Sequence, residues 1–153
     1  MATQIRTSAF SGLQSTGAER HLILPRAIAG LPLLLIGLAH VFDDAAPMRP
    51  LVEAANLPAA ALLSPVAVAV EIVAGALLLL GLYARLGALL AIPAMAVAVY
   101  AHIAIDVWPN AGGEPPIALP LVVLACAAYV LVRGAGAWSL DRRLNGGERE
   151  PAA

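Results

Sequence analysis

Apolar residues run almost unbroken through four stretches of this chain, and polar residues collect between them. The stretches are about Leu22 to Phe42, Pro65 to Tyr83, Leu86 to Trp108 and Ile117 to Arg133. A helix needs roughly 20 mainly apolar residues to cross about 30 Å of hydrocarbon, so the pattern predicts four membrane spans. Ser64 reads as an N-cap and Pro65 as the first helical residue of the second span. Pro32, Pro93 and Pro120 fall inside spans, where neighbouring helices can satisfy the freed carbonyls. Kinks are expected near Pro32 and Pro93. The longest connection, Asp43 to Ser64, is partly apolar and interrupted by Pro50, Asn56 and Pro58, which predicts a short helix lying at the interface. The connection around Pro109 to Gly113 reads as a plain turn.

Composition turns this pattern into a fold class. Of 153 residues, 61% are hydrophobic and 12% charged, and the mean hydropathy is +0.85. Soluble domains average about 45–50% apolar and about 25% charged, and a soluble domain this small could not hide such an excess. The expected fold is all-α: an integral membrane four-helix transmembrane bundle over residues 21–143. A flexible cytoplasmic tail over 1–20, without the apolar core and cleavage site of a signal peptide, precedes it. A disordered tail over 144–153 follows.

Charge excludes some chemistry and orients the bundle. The net charge of −1 leaves no basic footprint for nucleic acid. All nine basic residues are Arg, which excludes lysine Schiff-base chemistry. The single cysteine, Cys126, has no partner for a redox pair and reads as a small packed hydrophobe. Arg20, Arg26, Arg85, Arg133, Arg142 and Arg143 flank one side of the spans. The opposite loops hold Asp43, Asp44, Arg49, Glu53 and Glu114. The positive-inside rule then places both termini and the Arg85 turn in the cytoplasm. Trp108 and Trp138 would mark the outer and inner interfaces.

Ionisable groups within spans are costly, so each is a candidate functional residue. Here they are His40, Glu71, His102 and Asp106. His40 lies fourteen positions beyond Arg26, Glu71 fourteen before Arg85, and His102 seventeen after Arg85. At about 1.5 Å per residue these are depths of roughly 21, 21 and 25 Å. Three helices thus bring an acid or an imidazole to one level in the outer half of the membrane, each on a small-residue face of the kind that marks close helix packing. His40, Glu71 and His102 are the candidate catalytic residues. Arg26, Tyr100 and Asp106 are candidate cofactor contacts. A structural reading stands beside each: hydrogen-bonded glue for the histidines and Glu71, an anchor for Arg26, packing for Tyr100, interfacial solvation for Asp106. Two His and a carboxylate suit Zn, Fe or Cu, but they are scattered over separate helices. A quinone needs a donor at each end and an apolar slot, and His beside a carboxylate can pass its protons. Spacing does not choose between these.

At the end of the fourth span the chain reads Arg133-Gly-Ala-Gly-Ala-Trp-Ser-Leu-Asp141. This ending resembles the C-terminal signature of the DoxX family. Arg26 at the start of the first span, Gly37 a turn before His40, Glu71 followed by Gly75, and Leu80-Gly81-Leu82 ahead of Arg85 are similar to that family as well. The likeness runs from about Arg26 to Asp141. Many members carry Lys where this chain has His40. The resemblance implies a four-helix inner-membrane protein of bacteria or archaea. It further implies a subunit of a quinone-linked redox system of sulfur or oxidative-stress metabolism, working with a partner redox protein or as a homo-oligomer. The alternative is a non-enzymatic carrier or accessory subunit for a metal ion or small solute. The glycines of the ending would close the helix through a left-handed cap, and Asp141 would pair with Arg133 or Arg85.

Overall fold

Alanine, leucine and valine fill the apolar stretches, and each stretch winds into a helix. The computed structural model describes residues 19–42, 48–105 and 116–146. Its helices are α1 (Ile23–Phe42), α2 (Met48–Ala54), α3 (Ala60–Leu80), α4 (Ala84–Ala104), α5 (Ala118–Arg133) and α6 (Leu140–Gly146). The four longer ones close a ring in which α1 packs on α3, α3 on α4, α4 on α5 and α5 on α1. Neighbours run antiparallel. One end of the bundle therefore gathers the starts of α1 and α4, the ends of α3 and α5, and α6.

α1, α3 and α4 are each long and apolar enough to cross a membrane, and α5 is a shorter apolar helix of 16 residues beside them. Within the most apolar windows of the three long helices only 22–28% of residues are buried inside the protein. Leu24, Leu31, Leu35, Val73, Leu89 and Val132 instead face outward. Burial within so thin a bundle cannot remove that surface from water, whereas lipid can. The chain is a multi-pass membrane protein with an all-helical bundle fold.

Small residues set the tightest crossing. A Cβ added at Gly75 would lie 2.6 Å from the Leu34 amide nitrogen and 2.9 Å from the Gly30 carbonyl oxygen. The α1 and α3 backbones thus touch directly, the close approach that small residues permit in membranes. Gly37 similarly leaves room for the Glu71 stem, whose Cβ would stand 3.0 Å from an added methyl group.

Several helix ends differ from expectation. α3 begins at Ala60, not at Pro65. Ser64 caps nothing and instead donates from Oγ to the Ala60 carbonyl at 2.7 Å, a back-bond within the first turns. Pro65 donates nothing to the Ala61 carbonyl, and the turn before it is closed by the Leu62 and Leu63 amides on the Ala59 carbonyl, at 2.9 Å each. Pro120 falls in the first turn of α5, where a missing N–H leaves no acceptor unsatisfied. The expected short helix between the first two spans is present as α2. Beyond its last residue, Ala54, the helical path ends at Asn56, whose φ of 54° and the bonds Asn56 N–H to Glu53 and Leu57 N–H to Val52 form a left-handed stop. α6 continues to Gly146, three residues into the stretch expected as the C-terminal tail, and Ser139 caps its start: the Oγ accepts the Arg142 amide at 3.2 Å. The Pro109–Gly113 turn and Trp108 lie outside the described residues.

Candidate functional site

Between the α2 end and the middle of the bundle the helices part. A cavity of about 400 Å³ opens there, walled by α1, α3, α4 and the first two turns of α5, and covered by Met48, Leu51 and Val52 of α2. Among the described residues its lining is apolar apart from His40, Glu71 and His102. These are the residues that counting from the arginines places at one depth, and all three reach this one space. Pro32 and Pro93 line it too. Each interrupts its helix ladder at the cavity, since proline donates no hydrogen bond to the carbonyl four residues back. Val66 on α3 and Val97 on α4 are about half exposed and also line it, so the cavity opens between these helices onto the apolar outer surface.

Glu71 is 7% exposed. Its Oε2 is buried and meets no hydrogen-bond partner among the described residues. The His102 ring Nδ1 stands 2.7 Å from the Ala98 carbonyl. A carbonyl only accepts, so Nδ1 carries a proton and donates it within its own helix. Among the described residues no three His, Cys, Asp or Glu side chains gather as a metal ion would require.

The remaining candidates lie elsewhere. Tyr100 is 51% exposed and does not line the cavity. Asp106 lies outside the described residues. Arg26 is at the opposite end of the bundle, 2% exposed, and all three nitrogens of its guanidinium are engaged by backbone. Nε donates to the Leu78 carbonyl at 2.9 Å, Nη2 to Leu79 at 2.9 Å, and Nη1 to Ala135 and Trp138 at 2.8 Å each. Two of these are carbonyls left over at the end of α3, where a cation also meets the negative end of the helix dipole. Arg26 thereby ties α1 to α3 and to the loop after α5.

Sequence reasoning missed the partner of Asp141. Among the described residues its carboxylate makes no direct ion pair with Arg133 or Arg85. It accepts the Tyr83 amide at 2.7 Å through Oδ1 and the Ala84 amide at 3.1 Å through Oδ2, capping the start of α4. Its own amide donates to the Gly81 carbonyl at 2.9 Å. Burial pushes this carboxyl above its ordinary pKa, while the Ala84 and Tyr83 amides and the charge of Arg26 pull it down. Gly134 and Gly136 do have positive φ. Gly134, however, with φ 82° and ψ −167°, is extended rather than a left-handed helical cap. Gly136 brings the chain against Glu19, whose carbonyl accepts the Ala137 amide at 3.0 Å and whose carboxylate pairs with Arg133.

No curated protein and no solved structure matches the chain. The family model DoxX matches residues 21–104. That stretch holds α1 to α4, with His40, Glu71, His102 and Arg26, and stops short of the 134–141 ending on which part of the resemblance rests. A match over more than half of the chain, on a bundle of this form, makes the protein a member of the DoxX family.

Proposed function

We propose that the cavity receives a quinone head group from the bilayer and that the protein is the membrane subunit of a quinone-linked redox system. The observation that carries this reading is the cavity itself: apolar, open to lipid between α3 and α4, and supplied with ionisable groups, among the described residues, at His40, Glu71 and His102. Ligand pockets of about 300–1,000 Å³ with a few converging polar groups are the usual form of small-molecule sites. The buried, unpartnered Oε2 of Glu71 fits a ligand that brings hydrogen-bonding groups of its own. A bound quinone would supply two-electron, two-proton chemistry. The chain would contribute an apolar slot for the ring and, in Glu71 and the two imidazoles, groups that hold and pass protons. Its single cysteine forms no dithiol, so electrons would come from a partner protein. The alternative, a carrier for a metal ion, has no three-ligand cluster among the described residues to support it.

Filling the cavity tests the reading. Ala67→Phe places a ring in the space from α3, and the variant should accumulate in membranes yet lose binding of a short-chain benzoquinone in lipid nanodiscs. His102→Ala should weaken binding about tenfold, the worth of one good hydrogen bond, and His40→Ala by less. Unchanged affinity in Ala67→Phe would move the site out of this cavity.

The placement in a bacterial inner membrane with cytoplasmic termini belongs to the same proposal. Arg26, Arg85, Arg133, Arg142 and Arg143 lie at the end away from the cavity, whereas Arg49 at the cavity end is ion-paired with Glu53 at 2.7 Å. By the positive-inside rule the cavity occupies the outer half of the membrane. Alkaline phosphatase fused after Asp141 should be inactive, and fused at Asn110 active. The reverse pattern would invert the protein.

A further inference from the structure

Within the proposed quinone site one polar atom is unfinished. Glu71 Oε2 is enclosed, and no described residue donates to it. The Nδ1 proton of His102 is already given to the Ala98 carbonyl at 2.7 Å. Leu33, Val70 and Met95 are among the apolar neighbours that line the same space and can offer nothing. An acceptor left alone in such surroundings is costly, and lipid provides no water to relieve it.

We infer that the cavity discriminates between the two redox forms of its ligand, holding the hydroquinone in preference to the quinone, with a ring hydroxyl meeting Glu71. The inference rests on the quinone reading above. Its logic is the inventory of donors and acceptors. An ionised carboxylate only accepts, and a carboxylic acid has one O–H and one accepting oxygen. A quinone carbonyl also only accepts, so it can pair with the acid but faces the carboxylate oxygen to oxygen. A hydroxyl both donates and accepts, and satisfies the carboxyl in either protonation state. The ring has nearly the same size in both forms, so the apolar walls do not distinguish them. The choice falls to Glu71. A site of this kind retains the reduced product or substrate until a proton and electron acceptor removes it, which suits a subunit that exchanges reducing equivalents with the quinone pool.

The test uses the full chain in nanodiscs under anaerobic conditions, with three probes: a short-chain benzoquinone, its hydroquinone, and the dimethyl ether of the hydroquinone. Partitioning into lipid cancels when each affinity ratio is compared between the wild type and Glu71→Leu. The hydroquinone-to-quinone ratio should be about tenfold larger in the wild type, as expected for one buried hydrogen bond. The dimethyl ether, which lacks the hydroxyl proton, should bind the wild type no better than the quinone does. If Glu71→Leu does not accumulate, the wild-type affinities for the hydroquinone and its ether, each corrected for partitioning into protein-free nanodiscs, still decide. Equal ratios in the two proteins, or an ether that binds as well as the hydroquinone, would overturn the inference and leave the quinone site standing. Failure of all three probes to bind the wild type would overturn both.

Discussion

Arg26→Met should remove about 4 kcal/mol of stability, the size of loss seen when one partner of a buried charged network is deleted. The guanidinium serves four carbonyls from two parts of the chain: Leu78 and Leu79 at the end of α3, and Ala135 and Trp138 in the loop after α5. Methionine matches the stem and supplies no donor. The Leu79, Ala135 and Trp138 carbonyls would then be stranded where the guanidinium now excludes water. Arg26→Lys should recover only part of the loss, because an ammonium has three donors on a point charge and cannot reproduce the planar fork. Thermal unfolding in detergent, with the amount retained in membranes, reads both variants. Arg26→Met unfolding at the wild-type temperature would mean that the four bonds contribute nothing net.

This role was beyond reach of the sequence for a definite reason. A residue four positions into an apolar span announces that something must satisfy it, but not what. Its acceptors are backbone atoms 52 to 112 positions away, and backbone carbonyls leave no mark in a sequence. Asp141 escaped for the same cause, since its partners are the amides of Tyr83 and Ala84. What was legible depended on counting. Span length follows from the thickness of hydrocarbon, and the helical rise converts positions from an arginine into depth. That is why His40, Glu71 and His102, on three helices, meet in one cavity. Tyr100 failed because depth says nothing of rotation about the helix axis, and it faces outward. The cover formed by Met48, Leu51 and Val52 was legible only as a short helix. Its docking over the cavity depends on the left-handed residues Asn56 and Ala59 that steer the chain into α3, and neither type is a strong signal. The start of α3 was misplaced because Ser-Pro is a good helix opening, and a serine that back-bonds inside the first turns looks the same in sequence.

Gly81→Ala should cost about 3 kcal/mol, far more than one methyl group in most surface turns. Two independent constraints meet at this residue. The Gly81 amide donates to Leu78 and the Leu82 amide to Leu77, at 3.2 Å each, with φ 63° at Gly81. That is the left-handed stop that closes a helix, and a Cβ there is strained by about 1 kcal/mol. An added Cβ would also lie 2.5 Å from Arg26 Nη2 and 2.7 Å from the Ser139 Cβ. A long side chain usually swings away from such a collision. This one cannot do so cheaply, because moving Nη2 breaks its bond to Leu79 and disturbs the other three. The two contributions separate in a double-mutant cycle. In an Arg26→Lys background the planar group is gone, so the alanine should meet only the backbone strain and Ser139. The cost of Gly81→Ala should then fall by about half. Unfolding in detergent measures all four corners of the cycle. If the substitution costs the same in both backgrounds, the guanidinium is not what the methyl group strikes, and the demand for glycine comes from the turn alone.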